Sequence, residues 1–358
     1  MKRYDIAVIP GDGIGQEVMV EGVRALEAAA AACGFEIRRR AFDWSCESYK
    51  ATGAMMPADG IDQLRAHDAI FLGAVGFPGV PDHISLWGLL IPIRRSLDQY
   101  VNLRPVRLLR GVRSPLRDVE PGDIDFWIVR ENSEGEYSQL GGRQFEGTPH
   151  EMALQTSVFT RRGCDRAITY AFELARRLGK GRVDSATKSN GVFHAMPFWD
   201  ERFTAVAAGY PEIAAELHHV DIMAARFVMQ PRRFDVVVAS NLFGDILSDL
   251  GPGVTGTIAM APSANINPER RHPSMFEPVH GSAPDIAGQG VANPVGQIWS
   301  AAMMLDHLGE AEAARTIVAA IERTLEAPGA PRTPDLGGSA RTWELGEAIC
   351  RRILEGDG

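Results

Sequence analysis

The feature that most limits what this chain can fold into is the alternation of short apolar runs with longer amphipathic stretches. Ile6-Ala7-Val8-Ile9, Ala69-Ile70-Phe71-Leu72 and Phe234 to Ala239 read as buried strands, as do Asp125 to Val129 and Ala153 to Phe159, and Phe35 to Phe42 reads as a strand. Between them, Glu17 to Ala32 and Cys164 to Leu178 carry helical periodicity, and residues 296–308, 310–327 and Ala340 to Leu354 continue it. Strands alternating with helices in this way pack as an α/β protein with a largely parallel sheet. The 358 residues are ample for two domains and a large core. Pro328-Gly329-Ala330-Pro331 and Pro334 mark a loop before the last helix, and no internal repeat or low-complexity tract interrupts the pattern.

Charge and cysteine content narrow the class. The formal net charge of −9 argues against nucleic acid as the main partner, although local arginine clusters can still attract an anionic substrate. Cys33, Cys46, Cys164 and Cys350 are scattered without a C-x-x-C pair, as expected of free thiols in a reducing compartment. No apolar run reaches the ~18 residues of a membrane span. The N-terminus enters a strand at Tyr4 without a signal-peptide apolar region. The expected location is the cytoplasm.

Several stretches carry chemistry. In Asn241-Leu242-Phe243-Gly244-Asp245-Ile246-Leu247-Ser248-Asp249, two carboxylates lie four apart among residues that read as buried, including Leu242, Phe243, Ile246, Leu247 and Leu250. On a helix Asp245 and Asp249 share a face and repel, a conflict that a divalent cation resolves through hard oxygen ligands. A solvated helix face is the alternative. Pro10-Gly11-Asp12-Gly13-Ile14-Gly15 follows a strand and opens a helix, as an anion-binding turn would. It lacks one spacer of the G-x-G-x-x-G fingerprint, and a structural turn remains open; Glu36 stands where a ribose acid would. Arg94, Arg104 and Arg130 lie near expected crevice edges and suit a substrate with two carboxylates. Lys188, Tyr137 and the loop-forming run Glu277-Pro278-Val279-His280-Gly281-Ser282-Ala283-Pro284-Asp285 complete the set, against the alternative of plain surface and loop. No G-x-S-x-G elbow is present. The histidines show no metal-ligand spacing, and adjacent His218 and His219 point to opposite faces of a strand.

From Ile9-Pro10-Gly11-Asp12-Gly13-Ile14-Gly15 to the helices after residue 293, the chain resembles the β-decarboxylating dehydrogenases, the isocitrate/isopropylmalate dehydrogenase family. The two motifs at 241–249 and 277–285 carry the resemblance. Asp82-His83-Ile84-Ser85-Leu86-Trp87-Gly88 and Asp98-Gln99-Tyr100-Val101-Asn102-Leu103-Arg104-Pro105 resemble its D-malate/tartrate branch, whereas isopropylmalate enzymes usually place a Glu at Trp87.

The resemblance implies a two-domain isopropylmalate dehydrogenase-like α/β fold with a cleft, not a Rossmann fold. A cofactor domain would comprise 1–99 plus 255–358, and a central domain 100–254 with metal and dimer residues. It implies Arg94, Arg104 and Arg130 on the substrate carboxylates, and Asp221, Asp245 and Asp249 on Mg²⁺ or Mn²⁺. Tyr137 and Lys188 would be catalytic. NAD would be held by His280, Gly281, Ser282, Ala283, Asp285 and Asn293, with a monovalent cation such as K⁺ as a further implied group. The implied assembly is a homodimer with shared sites, in which Lys188 and Asp221 come from the other subunit; no nucleic acid or membrane partner is implied. The expected activity is NAD- and metal-dependent oxidative decarboxylation of a 2-hydroxy dicarboxylate, D-malate to pyruvate and CO₂ with tartrate also used. The rivals are 3-isopropylmalate dehydrogenase, for which Leu89, Leu90 and Ile91 would line an alkyl pocket, a non-catalytic regulatory paralogue, and a Rossmann-type dehydrogenase using Gly11–Gly15.

Overall fold

The computed structural model describes Met1–Gly356. The described strands are β1 (Arg3–Gly11), β2 (Glu36–Ala41), β3 (Ala69–Ala74), β4 (Val101–Arg107), β5 (Asp125–Glu131), β6 (Gly135–Gln144), β7 (Met152–Val158), β8 (Arg182–Thr187), β9 (Ala214–His219), β10 (Val236–Ala239), β11 (Pro262–Ile266) and β12 (Ser274–Pro278). The chain forms two compact units. The first comprises 1–99, 104–124 and the chain from 252 onward; the second comprises 100–103 and 125–251. Residues 104–124, which the sequence grouped with the central segment, thus cluster with the chain ends. Asp357 and Gly358, at the end of the expected cofactor domain, lie outside the described residues.

In the first unit, β2, β1, β3 and β12 are successive parallel neighbours, and β11 runs antiparallel to β12 with Pro262 opposite Pro278. Residues 69–72 of β3 are wholly buried, as an apolar run without alternation must be when helices cover both sheet faces. The helix Gly15–Cys33 ends where Gly34 adopts φ 78° and its N–H returns to the Ala30 carbonyl. Helices Val295–Leu308, Ala311–Glu326 and Thr342–Glu355 pack around it. The order β2-β1-β3-β12-β11 with an antiparallel member differs from the 3-2-1-4-5-6 order of a Rossmann sheet. Glu36 opens β2 and is exposed; it does not end a helix beside a nucleotide-binding turn.

In the second unit, β5, β10, β8 and β9 are successive parallel neighbours, with Val236 opposite Trp127 and Val183. All of Val236–Ala239 is buried. The helix Arg161–Leu178 begins where the Thr160 hydroxyl accepts from Gly163 N and ends at Gly179, φ 66°. β6 and β7 stand apart as an antiparallel hairpin, Leu140 opposite Thr156. The run read as a buried strand at 153–159 is therefore an exposed hairpin arm, with Leu154 55 % and Leu140 56 % accessible. Among the described residues, no helix is long and apolar enough to cross a membrane.

Candidate active site

A dense polar cluster of the second unit is built at the carboxyl end of β5. The strand delivers Arg130 and Glu131 and then turns sharply, because the buried Glu131 carboxylate accepts from Ser133 N and Glu134 N, both at 2.9 Å. Burial pushes the Glu131 carboxyl up against those bonds. The turn feeds β6, which brings Tyr137 back beside Arg130, with the guanidinium 5.4 Å from the ring centre. Opposite stands the helix Asn241–Thr255. Its amino end is held by the Glu136 carboxylate, which accepts from Ser240 Oγ (2.8 Å) and Leu242 N (3.1 Å). Arg130 Nε donates to Asn241 Oδ1 at 2.9 Å. Gly244 permits this approach: a Cβ there would lie 2.6 Å from that of Arg130.

Asp245 is fixed from two sides. Arg130 forms an ion pair with one oxygen, and Tyr137 Oη donates to the other at 2.8 Å. Asp249, one turn on, is exposed. The helix is less buried than its sequence suggests. Leu247 is buried, Leu242, Phe243 and Leu250 are half-buried, and Ile246 is 55 % accessible, because the face shared with Asp245 and Asp249 is open. Two accessible carboxylates one turn apart on a rigid helix are a fitting donor set for a hard divalent cation.

Lys188, directly after β8, and Asp221, in the first turn of the helix Val220–Met229, pair at 2.8 Å. The ammonium holds the Asp221 carboxyl below its usual range. Both side chains are accessible, Asp221 to 67 %. Within one chain, Asp221 does not gather with Asp245 and Asp249 into a three-ligand group. The one such group among the described residues is Asp184, Glu216 and His218. That group is already occupied by guanidinium: Arg182 Nε grips both Asp184 oxygens, Arg233 lies 2.6 Å from Glu216 and Arg226 lies 2.6 Å from His218 Nδ1. A cation has no place there.

In the first unit, Arg94 pairs with Glu277 at 2.8 Å, both nearly buried, and Asn265 Nδ2 donates to the same carboxylate oxygen at 2.7 Å. Arg94 Nε is buried without a partner, a donor that a substrate carboxylate would satisfy. Arg104 is buried, with Nε 3.4 Å from Ser263 Oγ. Upstream, Leu86–Leu90 form a π-helical turn. Leu89 and Leu90 point into the core cluster with Phe42, Trp44 and Ile70 rather than towards a ligand. Trp87 is half-buried beneath the Arg95 guanidinium, 5.1 Å from its ring centre. His83 is exposed, whereas Ser85 is wholly buried.

The run 280–293 is an irregular loop. Burial lowers the His280 pKa, and its Nδ1 lies 2.9 Å from the Gly281 carbonyl, leaving Nε2 as an unpartnered acceptor. Asp285 is exposed, and Ala283 takes φ 38°. An exposed carboxylate on such a loop fits a ribose diol. Asn293 is buried and spent on the protein itself, donating to Asp335 Oδ2 (2.9 Å) and accepting from Val295 N (3.0 Å). Sequence reasoning gave no role to Glu131 and Glu136, and quoted Asn241 and Glu277 only as the first residues of their motifs; these four hold the others. Each adjoins a motif residue, which was the only available signal.

The isocitrate/isopropylmalate dehydrogenase family profile matches residues 5–349. The chain is 60 % identical to "D-malate dehydrogenase [decarboxylating]" of Escherichia coli (strain K12), over 99 % of both chains. It is 56 % identical to "Tartrate dehydrogenase/decarboxylase" of Pseudomonas putida, over 97 % of this chain and 96 % of that one. The crystal structure of isocitrate dehydrogenase from Methylococcus capsulatus superposes with a TM-score of 0.88 at 34 % identity, covering 98 % of this chain and 99 % of that one. The chain belongs to the isocitrate/isopropylmalate dehydrogenase family, whose members are decarboxylating oxidoreductases acting on a CH–OH group.

Proposed function

We propose that this chain oxidatively decarboxylates D-malate to pyruvate and CO₂ with NAD and Mg²⁺ or Mn²⁺, and that it also uses tartrate. The observation that carries this reading is the 60 % identity, end to end, with a relative named for D-malate. The burial of Leu89 and Leu90 in the core supports it, since of the three residues that would line an isopropyl pocket only Ile91 lies outside that core.

In this reading Arg94, Arg104 and Arg130 hold the substrate carboxylates; a guanidinium fork matches a carboxylate in geometry and charge. Asp245 and Asp249 hold the divalent cation together with Asp221 of the partner subunit. The unit containing the chain ends carries NAD on His280, Gly281, Ser282, Ala283 and Asp285, with Asn293 as the loop's anchor. When bound, these groups supply Lewis acidity at the substrate oxygens and a hydride acceptor. Lys188 of the partner subunit takes the hydroxyl proton. Tyr137, on the other side, gives its phenolic proton to the enol carbon left after CO₂ departs. The second subunit is supported by the accessible Lys188–Asp221 pair and by the β6–β7 arm, where Leu140, Phe145, Met152 and Leu154 are exposed on a hairpin too small to be stable alone. A cytoplasmic location, consistent with four free cysteines, and a monovalent cation such as K⁺ belong to the same proposal.

The test is NADH formation from D-malate, L- and meso-tartrate, 3-isopropylmalate and isocitrate, each with and without Mn²⁺. D-malate is expected to have the highest kcat/KM. A preference of about tenfold or more for 3-isopropylmalate would reverse the substrate assignment.

A further inference from the structure

The Pro10–Gly15 motif has no part in the chemistry above, and its backbone is turned towards another loop. Ile14 N donates to the Ser282 carbonyl at 2.9 Å. Gly13, at φ +55°, lies so close that a Cβ would fall 2.1 Å from that same oxygen. The buried Asp12 carboxylate fixes the turn from behind, accepting from Cys46 N (2.8 Å) and Gly76 N (2.9 Å). One turn into the helix, Glu17 accepts from Gly288 N at the far end of the loop. Between these contacts Ile14, Val18 and Ala292 form a buried apolar cluster that receives Ala283, Ile286 and Ala287. The loop's other edge is closed by Thr342, whose N–H donates to Gly290 O (2.9 Å) and whose hydroxyl donates to Ala292 O (2.7 Å).

We propose that the Pro10–Gly15 turn and the first turn of the helix behind it are the seat that holds loop 281–290 in its cofactor-binding shape, with Gly13 and Glu17 as positioning residues for NAD. The inference rests on reading that loop as the cofactor site. An irregular loop that is free in solution must be ordered when ligand binds, and that ordering subtracts from affinity. Backbone bonds at both ends and an apolar patch in the middle order it beforehand. Neither Gly13 nor Glu17 is assigned to the metal, the substrate or the transferred protons. Weakening the seat therefore changes cofactor affinity and leaves the chemical step alone.

The experiment measures NAD⁺ dissociation by calorimetry on the purified full chain, with kcat, both KM values and Tm recorded in parallel. Glu17→Ala is expected to raise NAD⁺ Kd and KM about fivefold and Gly13→Ala about tenfold or more, with kcat and the dicarboxylate KM within about twofold. Glu17→Gln, which keeps an acceptor oxygen for Gly288 N, is expected to stay near the parent. Folded Glu17→Ala and Gly13→Ala proteins with unchanged NAD⁺ Kd overturn the proposal. So does a loss of kcat and of both affinities together that Glu17→Gln shares, which marks a merely structural role. If Gly13→Ala does not fold, the two Glu17 variants decide. Asp285→Lys is the reference: if it alone changes NAD⁺ Kd, the seat falls and the cofactor loop stands; if it too changes nothing, both fall.

Discussion

Asp245 shows how much of the site rests on single contacts. Arg130 and Tyr137 address its two oxygens, and Glu136 fixes the helix that carries it. Asp245→Asn keeps the shape and removes a charged oxygen donor. Manganese binding followed by electron paramagnetic resonance is expected to weaken by ~100-fold or more, while NAD⁺ affinity stays within about twofold. Equal losses in both would show that the residue holds the fold rather than the metal. Asp285 allows a second test at the same scale. An exposed carboxylate accepts bonds from ribose hydroxyls and repels a 2′-phosphate, so the protein is expected to prefer NAD⁺ to NADP⁺ by ~100-fold and Asp285→Lys to erode that ratio. Equal kcat/KM for the two cofactors in the unmodified protein would contradict the assignment. Asp245 and Asp249 drew attention in the sequence because their spacing implies chemistry. Their holders did not: Glu131 and Glu136 look like ordinary surface acids until the backbone N–H groups they accept from are located.

Among the elements, the π-helical turn Leu86–Leu90 is where the proposed substrate choice is tested. It sends Leu89 and Leu90 into the core and leaves Trp87 half-buried under Arg95. A single turn of this kind is too short to leave a readable period, so the sequence left open whether the leucines line a pocket. With those leucines committed to the core, Trp87 and Ile91 are the half-buried apolar side chains left on this stretch, and Trp87 is the bulkier. Trp87→Ala is expected to shift the kcat/KM ratio towards 3-isopropylmalate by ~10-fold relative to D-malate. An unchanged ratio would mean that the ring lies outside the pocket. The parallel strands β1, β3 and β10 were legible from their unbroken apolar runs, whereas β2, β8 and β9 carry none. The β6–β7 arm was misread because Ala153–Phe159 mixes apolar and polar residues as a half-buried strand would, while both its faces are open within one chain. Glu36 falls at the exposed start of β2, two residues past the Gly34 cap, rather than beside the Pro10–Gly15 turn.

Across the whole molecule, several groups are kept neutral by burial. The thiols of Cys46 and Cys350 are pushed up to about 11 and that of Cys164 to about 12, chiefly by desolvation; the Tyr4 and Tyr210 phenols are raised to about 12 by burial and by their Glu310 and Glu173 partners. Each is raised above its ordinary value of 9.0 for cysteine or 10.0 for tyrosine, so its contribution to stability is complete below that value and is lost as pH rises towards 11–12. Tm is therefore expected to fall progressively above about pH 9, and Cys46, Cys164 and Cys350 to resist a thiol reagent at pH 8 until the protein unfolds. A Tm that is flat to pH 11, or rapid labelling of all four thiols in the native state, would contradict this. The fold class was legible because strand and helix alternate over the whole length. The division into units was not legible in composition: nothing in 104–124 shows that it packs with the chain ends.

The central claim joins oxidation to carbon–carbon cleavage on one metal-dependent site, and stoichiometry tests it most directly. With D-malate, NAD⁺ and Mn²⁺, the purified protein is expected to release NADH, pyruvate and CO₂ in equal amounts, to stop when EDTA is added and to resume when Mn²⁺ is restored. NADH formed without CO₂, or turnover that survives exhaustive chelation, would contradict it.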